Sequence, residues 1–248
     1  MKDLRFMMGM PITVEIIDPS ARMDDIDQLF DFLTYVDETF STYKESSEIS
    51  RINAGTLSES DWSNDMREVF NACACTTQET QGFFNISRNG HLDPSGYVKG
   101  WAIQKAANLL AQRGFTNYYV EAGGDIQVAG KNSDHEPWSI GIRNPFNLTE
   151  IIKRLSLSNG GIATSGTSAR GQHIYNPHNP DQEITDIVSV TVIGPKIVDA
   201  DRYATAAFAM GTAGITFITS LPGFEGYQID ARGIATFTAG FNQFVSQI

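Results

Sequence analysis

The sequence predicts an α+β fold in which helices pack on an antiparallel sheet. Amphipathic helical stretches concentrate before Arg113, whereas short β-rich runs separated by Gly, Asn or Pro dominate from Phe115 onward. Helices and strands in separate runs are typical of α+β proteins, and a parallel sheet needs a repeating βαβ order instead. No Pro/Ser-rich linker divides the chain. We therefore expect residues 1–248 to form a single domain.

The first half is predicted to contain one strand followed by helices. Apolar and polar residues alternate over residues 6–17, which predicts a strand that ends at the turn Asp18-Pro19-Ser20. The next stretch has an apolar face at helical spacing, formed by Ile26, Leu29, Phe30, Leu33, Val36 and Phe40. Ser47 is expected to cap a short helix over residues 47–53, and residues 61–81 predict a helix that ends at Gly82.

The second half is predicted to be mainly β-structure. A helix over residues 101–113 precedes it, and a last helix is expected over residues 200–210. The strand candidates are residues 118–121, 126–129, 138–142, 151–157, 160–164, 173–175, 186–193, 227–230 and 235–238.

Composition excludes a surface that binds polyanions. The chain has 248 residues, of which 41% are hydrophobic, so it is long enough to bury a large core. Its formal net charge is -11, which leaves no basic surface for nucleic acid or anionic lipid. An anionic ligand therefore needs a local helper, such as a metal ion.

The sequence indicates neither a targeting segment nor a disulfide or metal-binding pair of cysteines. The first residues are too short and too interrupted by Gly9 and Pro11 for a signal-peptide core, and no stretch approaches the roughly 20 apolar residues of a membrane span. We therefore expect a cytoplasmic protein, unless a leader has been removed. Cys73 and Cys75 lie two apart in a predicted helix and point to different faces, so neither a disulfide nor a metal pair is expected.

The segment Asp93-Pro94-Ser95-Gly96-Tyr97-Val98-Lys99-Gly100 carries the strongest chemical signal. It places a carboxylate, a glycine and a lysine where a helix is predicted to begin, and amide groups at a helix N-terminus attract anions. This chemistry suits a phosphate or a metal. An ordinary helix-start turn followed by a solvated lysine explains the same residues.

Two further segments combine glycine with polar groups. Gly123 and Gly124, followed by Asp125, permit a tight turn or the close approach of a flat ligand, and a plain hairpin explains them equally well. The segment Ala163-Thr164-Ser165-Gly166 can offer donors to a phosphate or a flavin edge.

Two side-chain placements indicate proton and metal chemistry. His173 lies on a predicted short strand, where imidazole can transfer protons near neutral pH, although a strand histidine is more often structural. Asp201 and Thr205 lie at i and i+4 near a predicted helix start, and such hard oxygen ligands suit Mg²⁺. Helix capping by the acidic group is the structural alternative for Asp201.

These clusters occur in an order that resembles the ApbE family, the FAD:protein FMN transferases. The resemblance runs from about residue 7 to about residue 238. Its motifs are Met8-Gly9, the Ser-x-Tyr of residues 41–43 with Ser47-Glu48, Gly82-Phe83-Phe84-Asn85, Asp93-x-x-Gly-x-x-Lys-Gly, Gly123-Gly124-Asp125, Ala163-Thr164-Ser165-Gly166, His173-x-x-Asn-Pro and Ala200-Asp-x-x-x-Thr.

The resemblance implies a fold, a duplicated T-fold-like α+β unit, and an activity, the transfer of FMN. Members cut the pyrophosphate of FAD with Mg²⁺ and pass FMN to a threonine or serine hydroxyl of an acceptor flavoprotein, which releases AMP. Carried over by motif, His173 is implied as the base for the accepting hydroxyl. The implied Mg²⁺ ligands are the Gly96 carbonyl, Asp201 and Thr205. The implied FAD contacts are Met8, Tyr43, Phe83, Phe84, Asn85, Asp93, Lys99 and Tyr175.

The chain departs from the family pattern at several positions. Met10-Pro11 replaces the usual threonine after Met-Gly, and Ala204 replaces an acidic residue often found before the metal-binding threonine. Asn85 and Gln104 each stand where another residue is common, and residues 176–180 replace Asp-Pro-x-Thr-Gly. Two alternatives to FMN transfer therefore stay open: an Mg²⁺-dependent FAD pyrophosphatase that yields FMN and AMP, and a non-catalytic flavin-binding protein.

Overall fold

The computed structural model describes residues 1–167, 171 and 174–246. Its strands are β1 (Lys2–Met7), β2 (Met10–Ile16), β3 (Ser87–Arg88), β4 (His91–Leu92), β5 (Tyr118–Ala122), β6 (Asp125–Ala129), β7 (Trp138–Asn144), β8 (Asn147–Leu157), β9 (Asn159–Gly166), β10 (Ile187–Gly194), β11 (Glu225–Asp230) and β12 (Ala235–Phe237). Its α-helices are α1 (Met23–Phe40), α2 (Glu48–Asn53), α3 (Asn64–Glu79), α4 (Ser95–Gln112), α5 (Ile197–Ala209) and α6 (Gly214–Thr219).

The predicted α+β class with an antiparallel sheet is confirmed. Eight strands form one sheet in the order β1-β2-β5-β6-β9-β10-β11-β12, and each neighbouring pair is antiparallel. The two halves of this sheet repeat one arrangement, in which two strands, then helices, then two further strands follow in chain order. The β6–β9 pairing joins the halves into a continuous sheet, as the resemblance to a duplicated unit implies.

The sheet separates two hydrophobic cores. Helices cover one face and bury a core that includes Phe30, Ile103 and Phe208. The β7–β8 hairpin covers the other face, where Trp138 and Phe241 are buried. Because successive strand residues point to opposite faces, the inner strands β5, β9 and β10 supply side chains to both cores.

Strand β6 shows how this alternation positions polar groups. Ile126 and Val128 pack under the β7–β8 hairpin. Asp125 and Gln127, also buried, therefore point to the helix side. Gln127 Oε1 accepts the Ile197 amide at 2.8 Å, which fixes the start of α5 against the strand.

Several predicted elements have different bounds or identities in the structure. Residues 6–17 are not one strand: β1 and β2 pair as a hairpin that turns at Met8 and Gly9, both of which have positive φ. Helix α4 begins at Ser95, so residues 95–100 are already helical. Helix α6 follows the helix that was predicted to be the last, and the described residues of 173–175, Ile174 and Tyr175, are not in a strand.

The two cysteines lie in α3 and differ in exposure. Both are free, with Cys73 buried in α3 and Cys75 exposed. Burial raises the pKa of Cys73 to about 12, which keeps its thiol neutral and unreactive. Within the described part of the chain, no helix has the length and apolar character needed to cross a bilayer.

The Ser47-Glu48 motif stabilises the fold at the start of α2. Ser47 is fully buried; its Oγ accepts the Ser50 amide at 3.1 Å and donates to the Ser41 carbonyl at 2.7 Å. Glu48 Oε1 accepts the Ser63 amide at 2.6 Å. At the other end of α2, the Asn53 side chain exchanges two hydrogen bonds with the backbone of Leu92 and so attaches β4 to the helix.

Replacing this buried cap is expected to lower stability more than replacing an ordinary one. Ser47→Ala removes a cap and the shorter of the two hydroxyl hydrogen bonds to the Ser41 carbonyl, for a loss of about 2 kcal/mol in the free energy of unfolding. Ser63→Ala is the matched control, because Ser63 caps α3 through the Met66 amide and costs about 1 kcal/mol when removed. Urea denaturation of both variants measures the difference. Equal losses would contradict the role given to the Ser41 contact.

Candidate functional site

A cavity of about 570 Å³ opens where the β5–β6 turn meets α4 and α5. Its lining mixes apolar and charged groups, as a ligand with a ring system and phosphates requires. The lining side chains that carry charge are Arg88, Asp93, Lys99, Glu121, Asp125, Arg143 and Asp201.

The inner wall of the cavity depends on the close approach of α4 and α5 at Gly100. A Cβ at this glycine would lie 2.8 Å from the Asp201 Cβ and 3.0 Å from the Val198 Cα, so no larger residue fits without separating the helices. The Gly100 amide donates to Asp201 Oδ2 at 2.8 Å. This bond aims the carboxylate at α4, and it shows that Asp201, in the second turn of α5, is not a helix cap.

A buried charge cluster forms beside this crossing. Lys99 Nζ lies 2.6 Å from Asp125 Oδ2 and 3.6 Å from Asp201 Oδ1. The two carboxyl groups are only 1% and 2% exposed. Asp125 is held further by the Thr164 amide, which donates to its Oδ1 at 3.0 Å. When both carboxyl groups are ionised, one ammonium faces two carboxylates, and the cluster has a net charge of -1 in a dry environment.

The surroundings of Asp201 oppose its ionisation. Burial raises the pKa of Asp201, and the neighbouring Asp125 raises it further, whereas Lys99 and the Gly100 amide lower it. An additional cation beside this carboxylate would favour the ionised form. The cluster is therefore suited to bind positive charge.

The donor set beside Asp201 fits Mg²⁺. Thr205 lies one turn further along α5, and its Cγ2 methyl and Oγ1 hydroxyl are 3.3 and 3.8 Å from the position of a Cβ on Gly96, so its side chain packs against the first turn of α4. Ser165 Oγ lies 3.5 Å from the same hydroxyl. A carboxylate, a hydroxyl and a helix carbonyl are hard oxygen ligands, and Mg²⁺ completes such a set with water and phosphate oxygens. Among the described residues, no cluster of three or more His, Cys, Asp or Glu offers a different metal centre.

The structure brings nine of the predicted site residues together. Phe83, Phe84, Asn85, Asp93, Gly96, Lys99, Tyr175, Asp201 and Thr205 all line the cavity. Asp93 also accepts the Ser95 amide at 3.0 Å, so the structural role proposed for it as a helix-start residue coexists with its place in the lining.

The outer wall contains an aromatic and cationic pair. The Arg88 guanidinium lies 4.3 Å from the centre of the Tyr175 ring, and the Tyr175 hydroxyl donates to the Ser87 carbonyl at 3.2 Å. Partial burial raises the pKa of Tyr175, which keeps the phenol neutral and able to donate. Phe83 packs edge-on against His178 with ring centres 4.5 Å apart.

Two predicted site residues, Met8 and Tyr43, lie outside the cavity lining, and a third is not among the described residues. Met8 sits in the β1–β2 turn and packs against the helix-side core. Tyr43 is 97% exposed in the loop after α1 and is not part of the cavity lining. His173, the predicted base, lies outside the described residues.

Sequence reasoning missed Asp125 as a site residue. Asp125 follows a predicted glycine turn and belongs to a family motif, but no role in the site is predicted for it. The signal that could have identified it is the alternation of β6, in which Asp125 and Gln127 share the face opposite Ile126 and Val128. Two cavity-lining arginines, Arg88 and Arg143, were also missed, since neither belongs to a short motif.

Two departures from the family pattern have local explanations. Ala204 is fully buried in the helix-side core, so an acid at this position of the present chain would be surrounded by apolar groups. Met10 lines the cavity beside Gly123, where a Cβ would lie 2.9 Å from the Met10 sulfur. The thioether therefore occupies the space that the glycine leaves.

Fold and cavity together define the class: an α+β protein with a duplicated antiparallel sheet and a charged cavity between its two central helices. The ApbE family model matches residues 8–91 and 87–227. The chain belongs to the ApbE family.

Curated relatives carry one common name. The chain is 32% identical over 168 residues to the FAD:protein FMN transferase of Vibrio cholerae, which covers 63% of this chain and 48% of that protein. It is 28% identical over 152 residues to the protein of the same name from Salmonella typhimurium, which covers 58% of this chain and 43% of the relative. The aligned regions thus span about half the length of these relatives.

Solved structures share the fold across the whole chain. The ApbE protein of Thermotoga maritima superposes with a TM-score of 0.86 at 21% identity and covers 100% of this chain and 99% of that one. The flavin transferase ApbE of Vibrio cholerae gives a TM-score of 0.86 at 22% identity, with 98% and 99% covered. At these identities the superpositions establish the fold alone.

Proposed function

We propose that the protein is an Mg²⁺-dependent FAD:protein FMN transferase that moves FMN from FAD to a threonine or serine hydroxyl of an acceptor flavoprotein and releases AMP. The observation that carries the proposal is the buried cluster of Lys99, Asp125 and Asp201 beside Thr205, at the inner end of a cavity large enough for a dinucleotide. The shared name of the curated relatives supports it.

The inner end of the cavity is assigned to the phosphates. Asp201, Thr205 and the Gly96 carbonyl are the residues that would hold Mg²⁺. When bound, the cation supplies neutralisation of the charge that develops on the pyrophosphate oxygens. Lys99 contributes an ammonium on the same side, and the Asp93 carboxylate at the start of α4 can accept hydrogen bonds from the nucleotide.

The outer wall is assigned to the flavin rings. Phe83, Phe84 and Tyr175 offer aromatic surface for a planar ring system, and Asn85 offers an amide for its polar edge. Met8 and Tyr43 are further proposed contacts, on the strength of the motif alone. Tyr43 is exposed enough to contact an acceptor or a ligand that extends out of the cavity.

His173 is proposed as the base on its sequence motif. It would remove the proton from the acceptor hydroxyl, whose oxygen then bonds to the phosphorus of the FMN half. The bond between that phosphorus and the bridging oxygen breaks, and AMP leaves with the bridging oxygen. With water in place of the hydroxyl, the same steps would give FMN and AMP.

Incubation with FAD and a candidate acceptor tests this function. AMP release and in-gel flavin fluorescence are followed with and without Mg²⁺. Mg²⁺-dependent AMP release together with covalent fluorescence on the acceptor supports the transferase. AMP with free FMN and no labelled acceptor indicates the pyrophosphatase, and intact bound FAD leaves only a flavin-binding protein.

Substituting the proposed base is expected to separate chemistry from binding. His173→Ala should slow FMN transfer by at least about a hundredfold while FAD affinity changes less than about threefold, since a positioned base contributes 10²–10⁴-fold. His135→Asn is the matched control, because His135 lies in an exposed loop with positive φ that asparagine tolerates. Transfer rates at saturating FAD and flavin fluorescence titrations measure the two effects. A full rate in the His173 variant would contradict the assignment.

A further inference from the structure

The position of Lys99 between two buried carboxylates distinguishes it from an ordinary nucleotide-binding lysine. Its Nζ lies 1 Å nearer to Asp125 than to Asp201, at 2.6 and 3.6 Å. Its side chain is 21% exposed on the cavity side, so a ligand can reach it. The ammonium therefore neutralises the carboxylates and remains accessible to an anion.

We propose that Lys99 is a shared counter-ion, held by Asp125, that neutralises Asp201 in the ligand-free protein and pairs with nucleotide phosphate when a cation takes its place at Asp201. This inference rests on the proposed function, which identifies the two ligands as Mg²⁺ and FAD. It assigns Asp125 as a positioning residue that acts through Lys99.

The contacts of the two carboxylates explain the division of roles. Asp125 Oδ1 accepts the Thr164 amide, and Asp125 Oδ2 forms an ion pair with Lys99. Asp201 Oδ2 is held by the Gly100 amide, whereas its Oδ1 has the longer contact with Lys99. A cation can therefore replace the ammonium at Asp201 Oδ1 while Lys99 stays paired with Asp125.

Charge counting gives opposite expectations for the two ligands. With both carboxyl groups ionised, as a bound cation favours, the cluster carries -1 in the wild type, -2 in Lys99→Met and 0 in Asp125→Asn. Asparagine keeps an oxygen that can accept the Thr164 amide, so the second variant changes charge with little change in shape. Cation affinity should follow the order Lys99→Met, wild type, Asp125→Asn. FAD affinity without metal should follow the reverse order, because the phosphates are anions.

The experiment measures both affinities separately. Mn²⁺, which prefers the same oxygen ligands as Mg²⁺, is titrated into FAD-free protein and followed by electron paramagnetic resonance. FAD is titrated in the presence of EDTA and followed by flavin fluorescence. Each charge change is expected to shift each affinity by at least about tenfold, in opposite directions for the two ligands.

Two further variants keep the result interpretable. Lys105→Met is the matched control, because Lys105 lies on the same helix and pairs with Glu68 at 2.9 Å away from the cavity; it should leave both affinities within about twofold. The double variant Lys99→Met/Asp125→Asn restores a net charge of -1 and should return Mn²⁺ affinity toward the wild-type value.

The outcomes separate this proposal from the proposed function. The counter-ion role is overturned, even where the enzyme cleaves FAD, if both single variants bind both Mn²⁺ and FAD more weakly than the wild type. It is also overturned if neither affinity follows the order of the cluster charges. If the orders hold but FAD is never cleaved in the presence of Mg²⁺, the counter-ion role stands and the transferase proposal fails. Absence of Mn²⁺ binding in every variant would also overturn the counter-ion role.

Discussion

Asp201→Asn is expected to lower Mg²⁺-dependent AMP release from FAD by at least about a hundredfold, equivalent to about 2.7 kcal/mol of transition-state stabilisation. The substitution keeps an oxygen that can accept the Gly100 amide but removes the charge that the cation would contact. Because the carboxylate is buried beside another acid, its removal should leave the fold intact or slightly stabilise it.

Activity and stability measurements together test this expectation. AMP release is followed by chromatography, and thermal unfolding is followed by circular dichroism. Asp199→Asn is the matched control on the same helix, since Asp199 pairs with Arg202 at 2.9 Å and is not part of the cavity lining. Wild-type turnover in the Asp201 variant, with a normal fold, would remove this carboxylate from the metal site.

Gly100→Ala is expected to destabilise the protein, although alanine is the better helix former. Helix propensity alone predicts a gain of about 1 kcal/mol for this substitution. The added methyl would lie 2.8 Å from the Asp201 Cβ, so α4 and α5 must separate, at a net cost of about 1–3 kcal/mol in the free energy of unfolding. The contact between the two helices at Gly100 also orients the Asp201 carboxylate, so the variant should lose most of its turnover.

The sign of the stability change decides this prediction. Ala111→Ser adds one heavy atom on the exposed side of the same helix and should change the free energy of unfolding by less than about 0.7 kcal/mol. Urea denaturation of both variants gives the comparison. A Gly100→Ala protein that is more stable than the wild type would show that the helices do not depend on this contact.

The fold class and nine of the residues that line the cavity were predictable because their signals are local. The β-rich runs alternate at period two, and the motif around Asp93 and Lys99 is continuous in sequence. The residues with the strongest electrostatic roles depend on long-range packing. The Gly100 contact joins α4 to α5 across about a hundred residues, and no sequence period indicates that this glycine faces Asp201.

Two positions show where local patterns are insufficient. The turn at Met8 and Gly9 interrupts an alternation that reads as one strand, because a two-residue hairpin keeps the period on both sides. Tyr43 belongs to a family motif, but in this chain it lies in an exposed loop outside the cavity lining. The sequence motif does not reveal the three-dimensional path of that loop.

Intact-mass measurement of an acceptor protein tests the central claim most directly. The acceptor is incubated with FAD, Mg²⁺ and either the wild-type protein or the Asp201→Asn variant, and is then denatured before analysis. The account predicts that the wild type adds to the acceptor the mass of one FMN less one water, at a single threonine or serine, and that the variant adds almost none. An unmodified acceptor in the presence of a folded wild-type protein that binds FAD would contradict the account.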